Sequence, residues 1–161
     1  MRSLLEMMEV HADLHESFAV HRDYVVGLEF GRALEALERF EADLRSHMAI
    51  EEQHILPLYE RRVGHVLGGD PQFFYLEHKN ILRNLETAKD DLRRLATDPE
   101  AGRRQAHEFL DREGMLLHLL QHHDLREKNV LYPKLDEALS PEERKGVLDA
   151  CGLRENSEGQ R

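Results

Sequence analysis

Histidine and glutamate occur together at two places in this sequence with the same spacing. The first pair is His47 and Glu51, and the second is His123 and Glu127. Each pair is followed by a proline ten residues after its histidine, and the two segments are offset by 76 residues throughout. Residues four apart on a helix differ by about 40° in direction and about 6 Å in rise, so both side chains of a pair can reach one metal ion or two adjacent ions.

The segments around these pairs are predicted to be helical. Apolar residues recur every three or four positions in four long stretches, and turn-forming residues separate the stretches. The first two predicted helices run from about Ser3 to Val26 and from about Arg32 to Arg62. The third and fourth are predicted to open at the two Asp-Pro caps, Asp70-Pro71 and Asp98-Pro99, and each of the two prolines that follow a His/Glu pair is expected to kink or end its helix.

The fold class predicted from these elements is all-α. Four amphipathic helices joined by short turns favour an antiparallel up-down-up-down four-helix bundle. A capping box at Ser140 predicts a short C-terminal helix over about 141–151. We expect a single domain over 1–161, with a metal-binding bundle over about 3–133 and a frayed tail over 155–161.

The other two predicted helices each place a histidine on their apolar face. His15 lies on the stripe of the first helix and His78 on that of the third. Counted from the turns, His15 should lie level with His47, and His78 level with His123. Buried carboxylates are costly unless they are compensated, and four imidazoles with two carboxylates suit a pair of divalent transition-metal ions. The predicted ligands are His15, His47, Glu51, His78, His123 and Glu127.

At these residues the chain resembles the hemerythrin-like (HHE cation-binding) family. The family pattern is a histidine on helices one and three and His-x-x-x-Glu on helices two and four, and all six positions match. The resemblance covers about Leu4 to Pro133. It implies a non-haem di-iron centre that is bridged by Glu51 and Glu127 and by an oxo or hydroxo group. It also implies an open position for a small diatomic or peroxide ligand, namely O2, NO or peroxide.

The chain differs from the oxygen-carrying members of that family. Those proteins have a second histidine four residues before the one on helix three, where this chain has Phe74, and an aspartate where it has Lys128. His11 precedes His15 by four residues and is a further candidate ligand, as a third imidazole on one iron. The alternative is that His11 lies just outside the ligands or is partly exposed to solvent.

The remaining histidines and acidic neighbours are expected to play lesser parts. We expect His54 to support the ligands from just outside the centre. Glu52 and Glu77 should be rotated away from it towards solvent. His118 and His122 face away from His123 on a helical projection, so they are not predicted to be ligands. The last three, His21, His65 and His107, are expected on the surface.

Composition excludes several classes of protein. The net charge of −10 disfavours a nucleic-acid or anionic-membrane partner, and no apolar run is long enough to span a bilayer. The single cysteine, Cys151, forms no internal disulfide and fits a reducing cytoplasm. The function expected is binding of, or response to, a small oxidant or gas. A di-iron oxidoreductase consuming peroxide or acting on nitric oxide and an iron store remain alternatives, and the sequence identifies no protein partner.

Overall fold

Seven α-helices are present in the computed structural model, which describes residues 1–154. They are α1 (Met8–Val26), α2 (Phe30–Ile50), α3 (Leu56–Arg62), α4 (Pro71–Thr97), α5 (Arg103–Arg126), α6 (Tyr132–Ala138) and α7 (Pro141–Ala150). A short 3-10 turn, Leu4–Met7, precedes α1. The predicted frayed tail over 155–161 lies outside the described residues.

The long helices form the predicted all-α bundle. In chain order α1 packs on α2, α2 on α4 and α4 on α5, and α1 closes the ring against α5. Because each connection is short, successive arms run in opposite directions. No helix within residues 1–154 is both long and apolar enough to cross a membrane.

Two π-helical turns interrupt the second and fourth arms at the same place in the repeat. Glu51–Ile55 joins α2 to α3, and Glu127–Leu131 joins α5 to α6. Each turn precedes a proline, Pro57 or Pro133, which stands in the first turn of the next helix. Proline lacks an N–H and its ring crowds the carbonyl four residues earlier, and a wider turn accommodates both. The prolines therefore mark a widened turn and do not end their helical arms.

One predicted helix start was wrong. Asp98 does not cap α5, which begins at Arg103 after Gly102. The Asp98 carboxylate instead accepts the Glu100 N–H within the connecting turn. The caps at Asp70 and Ser140 are as predicted, since each side chain accepts a backbone N–H of the helix that follows it.

The interior consists of two apolar clusters separated by a polar layer. The larger cluster fills the bundle from Phe18 to Met48 on the first hairpin and includes Ile81 on α4. The smaller one lies under α7 and contains Phe74 and Leu148. The residue between Phe74 and Ile81 that faces the interior is His78, which is 2% exposed. The polar layer is therefore enclosed by hydrocarbon on both sides.

Candidate metal centre

Four buried histidines meet in this polar layer as two pairs. His11 of α1 lies against His47 of α2, with their Nε2 atoms 2.8 Å apart. His78 of α4 lies against His123 of α5, with ring centroids 4.9 Å apart. Each pair thus comes from one helical hairpin. We call the first pair, His11 and His47, position A and the second pair, His78 and His123, position B.

Two glutamates span both positions. Glu51 places Oε1 2.9 Å from His47 Nε2 and Oε2 3.1 Å from His78 Nε2. Glu127 places Oε2 3.0 Å from His11 Nε2 and Oε1 2.8 Å from His123 Nε2. Each carboxylate therefore presents one oxygen to position A and the other to position B. Within each position the two ring nitrogens and two carboxylate oxygens all lie within 4.8 Å of one another.

The Glu127 carboxylate fits a cation better than it fits the protein alone. Both of its oxygens are buried, and neither accepts a hydrogen bond from the residues the structure describes. The nearby ring nitrogens approach them without the direction that a hydrogen bond needs. An uncompensated buried carboxylate is strongly unfavourable. Ions at positions A and B would give both oxygens a partner, so the residues fit a pair of metal ions.

Carboxylates outside the layer lie close to three of the four rings and make hydrogen bonds to two of them. His78 Nδ1 donates to Glu52 at 2.8 Å, and His123 Nδ1 donates to Glu77 at 2.7 Å. Both bonds leave Nε2 pointing inward as the candidate ligand atom. His11 Nδ1 lies 2.9 Å from Asp124.

The charges of this layer shift the acid–base equilibria of its members. Burial alone would raise the pKa of Glu51, but the His47 and His78 rings hold that pKa well below its ordinary value. Burial opposes the charged form of His11, yet the Asp124 and Glu127 carboxylates raise its pKa to about 10. A metal ion at these ring nitrogens would therefore have to displace protons.

The structure brings together five of the six residues predicted as ligands, and His15 is the exception. The His15 side chain is 52% exposed and pairs with Asp124 at the edge of the bundle. His11, the secondary candidate, takes the place next to His47. His11 and His47 each lie 16 residues from the glycine on their side of the first turn, Gly27 and Gly31. That equality is a signal that could have identified His11.

Other expectations for single residues were wrong. Glu77 is not solvent-facing, since its carboxylate accepts bonds from His123 and Arg126. His21 is fully buried, where its ring contacts the carboxylate of Glu113. His54 makes no hydrogen bond or ion pair with a ligand among the described residues, so it does not give them the expected support. It lines a surface groove beside Leu139, because the π turn rotates it away from the face of Glu51.

The remaining histidines and Glu52 are exposed, as the sequence predicted. Glu52 is 44% exposed, although its carboxylate holds His78. Exposed positions are occupied by His65, His107, His118 and His122.

A small cavity adjoins the centre. Its volume is about 20 Å³, enough for about one water-sized molecule. The cavity wall includes three histidines of the centre, namely His11, His47 and His123. Apolar residues, including Leu117, form most of the rest of the wall. This cavity therefore has room for a very small ligand beside position A.

One comparison with known proteins gives a match. The family model described as hemerythrin HHE cation binding domain matches residues 2–136, which contain every residue of positions A and B and both glutamates. No curated protein and no solved structure matches the chain.

Proposed function

Because this chain belongs to the hemerythrin HHE cation-binding family, we propose that it holds two iron ions, one at position A and one at position B. His11 and His47 would hold the ion at A, His78 and His123 would hold the ion at B, and Glu51 and Glu127 would each offer one oxygen to either ion. The family resemblance implies an oxo or hydroxo group between the ions. When bound, the pair supplies a redox couple and an open position for a diatomic or peroxide ligand.

The spanning carboxylates carry this proposal. A single-ion site would need only one oxygen from each glutamate, whereas Glu51 and Glu127 both present their two oxygens to different histidine pairs. Imidazole with carboxylate is a donor set that suits iron, and the family match favours iron over zinc. The size of the adjoining cavity supports a ligand of two or three atoms, such as O2, NO or peroxide.

Metal content tests the di-iron part. We expect about two irons per chain by elemental analysis of protein purified without chelators or a histidine tag. Glu127→Ala should remove at least one, because it withdraws an oxygen from both positions. Glu137→Ala makes the same change at an exposed residue of α6 and should retain both. Wild-type protein that binds no iron, or Glu127→Ala with both ions, would refute the proposal.

Ligand binding tests the second part. Nitric oxide added without oxygen should change the absorbance of the iron-loaded protein. Leu117→Phe places a larger side chain on the cavity wall and should weaken that response at least tenfold with both ions retained. Leu119→Phe, two residues along the same helix but outside the cavity, is the matched control. Equal responses from both variants would show that nitric oxide does not bind in the cavity. Peroxide consumption measured in parallel distinguishes a binding protein from an oxidoreductase.

A further inference from the structure

We propose that the two metal positions are unequal, so that position B binds its ion tightly and fills first, while position A holds a more weakly bound, exchangeable ion. This inference rests on the proposed two-ion centre. It follows from the groups that surround the ligands, since each position has the same ligand set of two histidines and two carboxylate oxygens.

The histidines of position B are both held by directed hydrogen bonds. His78 donates to Glu52 and His123 donates to Glu77. Glu77 is in turn fixed by Arg126, which also donates to the Gly68 carbonyl. A carboxylate bonded to one ring nitrogen orients the ring and makes the other nitrogen a stronger donor to metal. Both ligand rings at position B are therefore preorganised.

The histidines of position A lack this support. His47 Nδ1 is buried and accepts or donates no hydrogen bond among the described residues. His11 Nδ1 lies near Asp124, but it also lacks the geometry of a hydrogen bond. Asp124 is moreover shared, because its second oxygen pairs with His15. At position A, His11 thus shares its neighbouring carboxylate with His15, and His47 has no outer carboxylate among the described residues.

The bridging carboxylate of Glu51 adds to the difference. The buried Tyr132 hydroxyl donates to Oε1, which is the oxygen on the side of position A. That oxygen divides its electron density between the phenol and an ion at A, whereas Oε2 faces position B without such a donor. The repeat is broken here, since the residue 76 positions before Tyr132 is Leu56, which has no donor to offer Glu127. The phenol therefore weakens position A alone.

The weaker position is also the one beside the cavity. His11 and His47 both line the cavity wall, whereas position B contributes only His123. An exchangeable ion at A would consequently be the one that a small molecule reaches first. Loading and release of that ion would then switch the ligand-binding capacity of the protein without emptying position B.

Stepwise titration with Co²⁺ tests the inequality. We follow the visible bands of bound Co²⁺ and determine both constants by competition with a chromophoric chelator. Glu52→Ala should weaken the first step about 10–100-fold, because it removes an outer partner of position B, and should change the second less than threefold. Glu60→Ala removes the same charge from an exposed position of α3 and should change neither step.

The titration tests the unequal affinities of positions A and B separately from the existence of the two-ion centre. Weakening of the first step alone supports an inequality with B as the tight position. A first step within threefold of wild type, or a weakened second step, overturns it while the two-ion centre stands. Wild-type protein that takes up no Co²⁺ and no iron refutes the centre itself. All of these readouts are binding constants, so none depends on an activity of the loaded protein.

Discussion

Replacing His11 by alanine tests which histidine of α1 belongs to the centre. His11 is 3% exposed and its Nε2 lies 2.8 Å from His47 Nε2, whereas the His15 side chain is 52% exposed and outside the cluster. We expect His11→Ala to keep one tightly bound ion, at position B, and to lose most of the affinity at position A.

The size of the loss follows from the number of ligands. Four-ligand zinc sites in small domains bind with about 12 kcal/mol, which is about 3 kcal/mol for each ligand. Position A has four candidate ligand atoms, and His11→Ala removes one of them. A loss of about 3 kcal/mol corresponds to about a 100-fold weaker affinity. His15→Ala removes an exposed ion pair with Asp124, and such pairs contribute little, so we expect less than a threefold change.

The assay is elemental analysis at equilibrium with buffered free metal, combined with chelator competition. His11→Ala should retain about one ion per chain at a concentration where wild type and His15→Ala retain two. Circular dichroism checks that both variants keep the helical fold. If His15→Ala loses an ion and His11→Ala does not, the placement of α1 relative to α2 is wrong and the ligand first predicted from the sequence is the correct one.

Three further predictions concern stability. Removing both ions from loaded protein should lower the unfolding temperature by about 8–16 °C per ion, because an ion at a thousand times its Kd contributes about 4 kcal/mol; an unchanged midpoint would contradict this. Glu113→Ala leaves the buried His21 ring without its hydrogen-bond partner and should cost about 1–3 kcal/mol of unfolding free energy while both ions remain bound, so a cost below about 0.5 kcal/mol would refute the hydrogen bond. Burial raises the pKa of Glu41, but Lys89 and Arg45 lower it below its ordinary 4.5 overall. The ionised Glu41 carboxylate therefore stabilises the folded state above about pH 4.5. This stabilisation is lost as the pH falls through the lower pKa that Glu41 has in the folded protein. The difference in unfolding temperature between wild type and Glu41→Gln should accordingly shrink from pH 7 to pH 3, and a constant difference would exclude this source of stability.

The sequence alone determined the fold class and most of the candidate centre. Helical periodicity and the Asp70 and Ser140 caps fixed the order of the helices. The 76-residue repeat identified His47, Glu51, His123 and Glu127, because two copies of one spacing on two apolar faces are hard to explain otherwise. His78 followed from its place on the stripe of α4. These are local features, and the fixed geometry of a helix converts their spacing in the sequence directly into relative positions of the side chains.

Only the tertiary structure distinguished His11 from His15. Residues four apart share a helix face to within about 40°, so periodicity cannot separate them. The choice depends on how far α1 slides along α2, which the turn at Gly27 and the packing of the two helices set. The same limit explains His21, whose buried ring contacts Glu113, a residue 92 positions away in the chain.

The surroundings of the ligands were likewise decided by contacts between distant parts of the chain. Glu77 looked solvent-facing on its own helix, but α5 brings His123 and Arg126 against it. Tyr132 reaches Glu51 across 81 residues of sequence. The π turns before Pro57 and Pro133 also change the rotation of the residues within and after them, and His54, within the first turn, lines a surface groove. Spacing therefore predicts which side chains share a face, and only packing between helices decides which partners they meet.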